Sequence, residues 1–331
     1  MNLRIIKGGI LDTVQDMGRY GWQHLGINPG GVMDKMAARL ANILIGNDPT
    51  EAVIELHFPA SEFFFEQPAL IAITGADFSA HVNGDEISTM HPIILNKYSI
   101  LQFHALKKGA RAYLAIHNGL DIKRWLNSSS THLKAGIGGF NGRILQKDDE
   151  VPMRVKIDFC PHIGKKEFHM LPWKADIMPT EGSSHEIWVL PANEWERLTD
   201  AGKDQLTSQP FVITSQSDRM GYRLKSEALH VTNTEEIIST AVNFGTVQLL
   251  PDGQLIILMA DHQTSGGYPR IAHVITAHHS KLAQMKPGEA IRFRFTDLRK
   301  AEELMLKQQQ HLLQLQHACK LKLDNFLHVK Y

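Results

Sequence analysis

Apolar residues in this chain fall mostly into runs of strand length separated by turn-forming pairs, and they recur at helical spacing in few places. Over 33–45 the positions Met33, Met36, Ala37, Leu40, Ile43 and Leu44 repeat every three or four residues, and Gly46-Asn47 follows as a stop. That spacing predicts an amphipathic helix. Short strands are predicted over 51–56, 69–74, 79–82, 100–104 and 111–116, with Asn83-Gly84 as the strongest hairpin signal among the turns. Many short strands with few helices favour barrels or sandwiches over a doubly wound sheet.

The pattern resets over 151–185, where Pro152, Pro161, Pro172 and Pro179 accompany polar residues and little periodicity. The expected organisation is a β domain over 1–155, a linker over 156–185, a second β domain over 186–300 and a helical tail over 301–331. The second domain runs from the predicted strand Glu186-Ile-Trp-Val-Leu to Ile291-Arg-Phe-Arg-Phe, with predicted helices over 193–201 and 280–284. From Asp297 the composition turns to Ala, Glu, Leu, Lys and Gln, which predicts an amphipathic C-terminal helix that packs on its own domain or docks a partner.

At 331 residues and 43% hydrophobic content, the chain can build the cores of two domains. Its apolar runs, such as 255–260, fall far short of the roughly 20 residues of a spanning helix, and the N-terminus lacks the features of a signal peptide. A cytoplasmic location and no membrane association are expected. Lys and Arg (35) balance Asp and Glu (35), so no global field draws the chain to nucleic acid. Cys160 and Cys319 are far apart and lack a CxxC context, and the 18 histidines form no HExxH or zinc-spaced pattern, so neither a disulfide nor a metal is expected.

The densest chemistry lies over 211–270. Arg219 and Arg223 flank Gly221 and Tyr222 where a strand leads into a turn, a pattern that suits recognition of a carboxylate or phosphate or, alternatively, pairing with Asp218 or Asp261 to pin a loop. Gln248, Asp261 and Gln263 follow, and then Ser265-Gly266-Gly267-Tyr268-Pro269, whose glycines allow close backbone approach or positive φ. In the first half, Gln15 and Arg19 sit on a glycine-flanked loop, Asp34 stands at the start of the predicted helix, Asn42 lies on that helix and Asn47 just past it. Asp34 reads as a ligand group or as a helix cap. Glu55 in an apolar strand requires a partner, for which Arg19 and Arg39 are candidates. Ser128 to Thr131 form a hydroxyl-rich run suited to an oxyanion, with no GxSxG around it. There is no GxxxxGK[ST] loop, so ATP is expected to be handled by another chain.

Taken together, Val14-Gln-Asp-Met-Gly-Arg19, Gly31-Val-Met-Asp34, Leu40 to Asn47, Thr74-Gly-Ala76, Ser128 to Thr131, Ser217 to Leu224, Gly245-Thr-Val-Gln248 and Leu258 to Pro269 resemble one family. It is the biotin-dependent carboxyltransferase-like family, which includes the KipI antagonist, allophanate hydrolase subunit 2 and the C-subunit of bacterial 5-oxoprolinase. The resemblance implies a mainly β fold of two cyclophilin-like β-barrel domains with a few short helices. It also implies action with a KipI-like subunit and a LamB/YcsF-like subunit in the ATP-dependent opening of 5-oxoproline to L-glutamate, with ATP handled by the assembled complex.

On that reading Asp261, Gln263, Gln248 and Tyr268 are the catalytic candidates. Arg219, Arg223, Tyr222, Gly266, Gly267, Gln15, Arg19, Asp34, Asn42, Ser128 and Thr131 are the candidates for binding a small amide or lactam. Two alternatives stay open: a regulatory protein that binds a KipI-like inhibitor, and a component that transfers a carboxyl group to urea or a related amide. The chain has no Ala-Met-Lys-Met biotin attachment motif.

Overall fold

The computed structural model describes residues 2–154, 159–176, 181–183, 185–232 and 237–328. These fall into two compact units, the first made of Met1–Gly18, Asp34–Met178 and Gln309–Tyr331, the second of Arg19–Met33 and Pro179–Gln308.

In the first unit two six-stranded sheets pack face to face. One has the order Glu150–Pro152, Asn2–Lys7, Glu62–Phe65, Ser99–Phe103, Ala80–Val82, Asp85–Glu86. The other has the order Phe168–Met170, Pro92–Leu95, Ala69–Asp77, Lys108–Ile116, Val53–Leu56, Thr13–Gln15. Period-two alternation aims Leu3, Ile5, Phe63, Phe65 and Leu101 of the first sheet and Val14, Ile54, Ile71, Ile73 and Leu114 of the second into one core. Strand Ala69–Asp77 reads as a nearly unbroken apolar run because its other face is covered too, by helix Lys35–Leu44. Asp34 caps that helix by accepting a hydrogen bond from the Ala37 backbone N–H at 3.0 Å. The expected hairpin turn is present, with Asn83 and Gly84 at φ of 51° and 95° between Ala80–Val82 and Asp85–Glu86.

The second unit is a closed seven-stranded barrel ordered Glu186–Pro191, Arg270–Val274, Thr246–Leu249, Leu255–Leu258, Gly221–Lys225, Phe211–Ile213, Ala290–Phe295. Ile187, Val189, Phe211, Leu224, Val247, Ile257 and Phe293 fill it, and Met33 from the early segment packs into the same core.

Two expectations differ from the structure, and the expected C-terminal helix is present. The helix expected over 193–201 is a 3-10 turn, Trp195–Arg197, followed by helix Asp200–Ser208, because buried Leu198 is extended and Thr199 restarts the helix by capping Gly202 N–H at 3.1 Å. The stretch expected as a linker over 156–185 carries strand Phe168–Met170, paired to Pro92–Leu95, and buried Leu171, Trp173 and Ala175; its positions 156–158, 177–180 and 184 lie outside the described residues. The C-terminal helix runs from Leu298 to His328 and packs on this chain. Its Leu304 joins Trp188, Ile275 and Ala277 in the second unit, while Phe326 lies against His162 and Trp173 in the first.

Candidate functional site

In the second unit, the turn after Phe211–Ile213 is shaped by Asp218, whose Oδ1 accepts the Met220 backbone N–H at 2.7 Å. That turn delivers Arg219 into the interior, where the residue is only 5% exposed. Arg219 Nε and Nη2 donate to Asp261 Oδ2 and Oδ1 at 2.8 and 3.2 Å, and Nη2 also donates to the Gly31 carbonyl at 2.5 Å. Asn28 Nδ2 donates to the Asp261 carbonyl at 3.1 Å. Gly30, at φ of 61°, lets the loop pass close: a Cβ there would stand 3.0 Å from Arg19 Nη1 and 3.6 Å from Asp261 Oδ1. Buried Arg19 and Arg219 and half-buried Asp261 thus meet around the 28–31 loop. The forked pair occupies the guanidinium of Arg219 and both oxygens of Asp261, which makes it a positioning element.

Arg219 and Arg223 do not form one clamp: Arg219 follows the alternative reading and pairs with Asp261, while Arg223 does not. Strand Gly221–Lys225 starts after Arg219, and alternation then turns Tyr222 inward and Arg223 outward. Tyr222 is buried in the barrel core with its hydroxyl donating to the Met285 carbonyl at 3.3 Å, so it faces no ligand space. Arg223 is exposed and lines a cleft of about 400 Å³ with Thr214, Gln216 and Lys225.

The amide candidates do come together. Gln263 Nε2 lies 3.5 Å from Gln248 Oε1, and Gln248 Nε2 donates to the Tyr268 carbonyl at 3.4 Å. Ser265–Gly266 pairs with Thr240–Ala241 beside them. A Cβ on Gly266 would stand 2.6 Å from Gln248 Nε2, and one on Gly267 3.1 Å from the Ile237 carbonyl. Close approach, not positive φ, is therefore what these glycines provide. Tyr268 remains 37% exposed at the edge of this group. The two carboxamides present a donor and an acceptor to a neighbouring amide, and neither is a nucleophile.

The first unit holds a buried polar layer between the second sheet and its helix. Register places Thr13 opposite Glu55, Glu55 opposite Tyr113, and Tyr113 opposite Thr74 on one face. The Asp34 backbone N–H donates to the Tyr113 hydroxyl at 2.8 Å, which in turn donates to Glu55 Oε2 at 3.0 Å. Gln15 Nε2 donates to Thr13 Oγ1 at 3.0 Å and to the Thr131 carbonyl at 3.2 Å, while its buried Oε1 has no hydrogen-bond partner among the described residues. Burial, with the charges of Glu55 and Asp34 nearby, raises the Tyr113 pKa well above its ordinary value, so this phenol stays protonated.

The serine run does bind an oxyanion, but the anion belongs to the chain itself. Asp16 Oδ1 accepts from Gly18 N, Ser128 Oγ and Ser130 Oγ at 2.8, 2.7 and 2.5 Å, and Oδ2 accepts from Ser129 N at 2.6 Å. Thr131 Oγ1 donates to the Val14 carbonyl at 2.8 Å. Ser128 and Thr131 are therefore committed to the fold. Asn42 is fully buried and serves the helix end, donating to the Glu51 carbonyl at 2.8 Å and accepting from Asn47 Nδ2 at 2.9 Å. Asp34 acts as the cap described above. Tyr113 is the residue that the sequence reading missed, because inside an apolar strand it reads as packing, and only its register with Glu55 reveals the polar row. Among the described residues no group of three or more His, Cys, Asp and Glu is placed to hold a metal ion, and no helix is long and apolar enough to cross a membrane.

The family described as carboxyltransferase domain, subdomain A and B, matches residues 25–295. The chain is 36% identical over 318 residues to the 5-oxoprolinase C-subunit of Escherichia coli, covering 95% of this chain and 97% of that one. It is 35% identical over 303 residues to the Haemophilus influenzae protein of the same name, covering 92% and 94%. The crystal structure of the K. lactis urea amidolyase superposes with a TM-score of 0.84 at 24% identity, covering 95% of this chain and 20% of the larger one, and shares the fold.

Proposed function

The chain belongs to the family of the carboxyltransferase domain, subdomain A and B, and from that premise we propose that it serves as the C-subunit of a 5-oxoprolinase. The reading rests on the 36% identity that spans 95% of this chain and 97% of a relative of that name. In this role it acts with a KipI-like and a LamB/YcsF-like subunit, ATP is used by the assembled complex, and the substrate is the lactam 5-oxoproline.

The residues suit recognition and positioning. Gln248 and Gln263 offer carboxamide donors and acceptors for a lactam N–H and C=O. Arg219 and Asp261 hold the loop that carries Gln263, because the pair and the Asn28 contact anchor Asp261 two residues earlier. Asp261 is thus assigned a positioning role in place of the catalytic one read from the sequence. Stabilisation of developing charge by such preorganised groups is the kind of catalysis open to this set.

The test is to purify the chain alone and with the two partner subunits, and to follow glutamate release from 5-oxoproline with ATP. Turnover is expected from the three-subunit assembly and not from the isolated chain, which should bind no ATP in a calorimetric titration. Absence of turnover in an assembled complex would overturn the proposal, and carboxylation of urea by a biotinylated partner would point instead to carboxyl transfer.

A further inference from the structure

A second polar recess lies on the outer face of the barrel. On strand Gly221–Lys225, Leu224 points into the core while Arg223 and Lys225 are exposed on the other side. Their Cα atoms are about 6.7 Å apart, as two residues along a strand must be. Among the described residues neither side chain forms a hydrogen bond or an ion pair; the Arg223 contacts with Ser217 are through its backbone. Both line a cleft of about 400 Å³ together with Thr214, Ser215, Gln216 and Asp252. Thr214 Oγ1 is buried there without a partner among the described residues.

We propose that this cleft binds a small amino dicarboxylate, with Arg223 and Lys225 each taking a carboxylate and Asp252 taking the ammonium. Two separated cations and one anion mirror the charges of such a ligand. A lone phosphate would gain from both cations but meet repulsion from Asp252, and it would fill little of a space at the lower end of ligand-pocket sizes. Arg223 presents a planar fork that grips a carboxylate through two hydrogen bonds, and Lys225 adds a point charge. The inference deepens the proposed function and rests on it only for the choice of probe, since L-glutamate is the amino dicarboxylate that opening of 5-oxoproline yields.

The full chain is titrated calorimetrically with L-glutamate, glutarate and inorganic phosphate, alongside Arg223→Gln, Lys225→Gln and Asp252→Asn, each checked for an unchanged thermal melt. L-glutamate is expected to bind saturably, each charge-removing variant at Arg223 or Lys225 to weaken it about tenfold or more, and Asp252→Asn to erase the preference for glutamate over glutarate. Phosphate binding as tight as glutamate, unchanged affinity in the arginine and lysine variants, or no saturable binding would each overturn the proposal. So would loss of assembly with the partner subunits in a chain that binds none of the probes, which would make the cleft a protein contact. Turnover of the assembled complex is scored separately: intact glutamate binding without turnover removes the functional reading and leaves the cleft, and turnover without binding does the reverse.

Discussion

Arg219 and Arg223 stand four residues apart and live in different environments, one buried against Asp261 and the other exposed on the barrel wall. Their substitutions should therefore part company. A buried ion pair that loses one partner leaves an uncompensated charge, at a cost of roughly 3 to 5 kcal/mol. Asp261→Asn is expected to lower the melting temperature by about 10 °C, and Arg219→Lys to lower it by somewhat less because the charge stays while the fork is lost. Arg223→Lys should leave the melt unchanged. Thermal melts of the three variants decide it, and a normal melt for Asp261→Asn would mean that the carboxylate is not holding the loop.

Among the elements, the C-terminal helix packs in the first unit through Leu323, which is 4% exposed. Helix Lys35–Leu44 ends at Ile45, and Gly46 follows at φ of 72°, as helix ends commonly require. A Cβ on Gly46 would lie 2.6 Å from Leu323 Cδ2. Leu323→Ala is expected to cost about 2 to 5 kcal/mol by opening a cavity, and Gly46→Ala at least about 1 kcal/mol from backbone strain, with the steric clash in addition. In a double-mutant cycle measured by urea unfolding, the two should be less than additive, since removing the leucine removes the clash. Full additivity would show that the helix does not seat there in solution.

For the whole molecule, the two units should answer pH in opposite senses. In the first, burial pushes the Asp12 pKa up from 3.8 to about 6, although the His57 and Ser61 backbone N–H groups bond its carboxylate at 2.7 and 2.6 Å. A raised folded-state pKa gives stability that is present below the unfolded value and lost as pH rises from about 4 to 6, on the order of 3 kcal/mol. In the second unit, burial and the nearby Lys281 charge push His278 down from 6.5 to about 4, and its Nδ1 lies 3.1 Å from the Trp188 backbone N–H, which it can accept only while unprotonated. That stability is present above pH 6.5 and lost as pH falls towards 4, by a similar amount. Hydrogen exchange of peptides from each unit between pH 4 and 7 measures the two separately, with Asp12→Asn and His278→Gln each expected to flatten the slope of its own unit only. An unaltered slope in either variant would assign the pH response to other groups.

Much of the fold is legible in the chain because strand alternation, turn glycines and helix caps are local. The 33–45 spacing predicted helix Lys35–Leu44 and Asn83-Gly84 predicted its hairpin, and ordered motifs pointed to the family that matches residues 25–295. Gln248 and Gln263 were both named as candidates from the sequence, and their contact, which the sequence did not predict, needed only a short loop to close. Apart from Asp261, one of the two carboxylates named as alternative partners for Arg219, the partners of buried charge were not legible, because they are set by register and by loops returning from far along the chain. Asp16 meets Ser128 across 112 positions, Tyr113 meets Glu55 across 58, and Arg219 reaches Gly31 across 188. No local period carries that information. One residue of shift along strand Gly221–Lys225 would exchange the faces of Tyr222 and Arg223, so the chain alone told which residues were polar enough to matter, and only the closed barrel and stacked sheets decided which of them face each other and which face solvent.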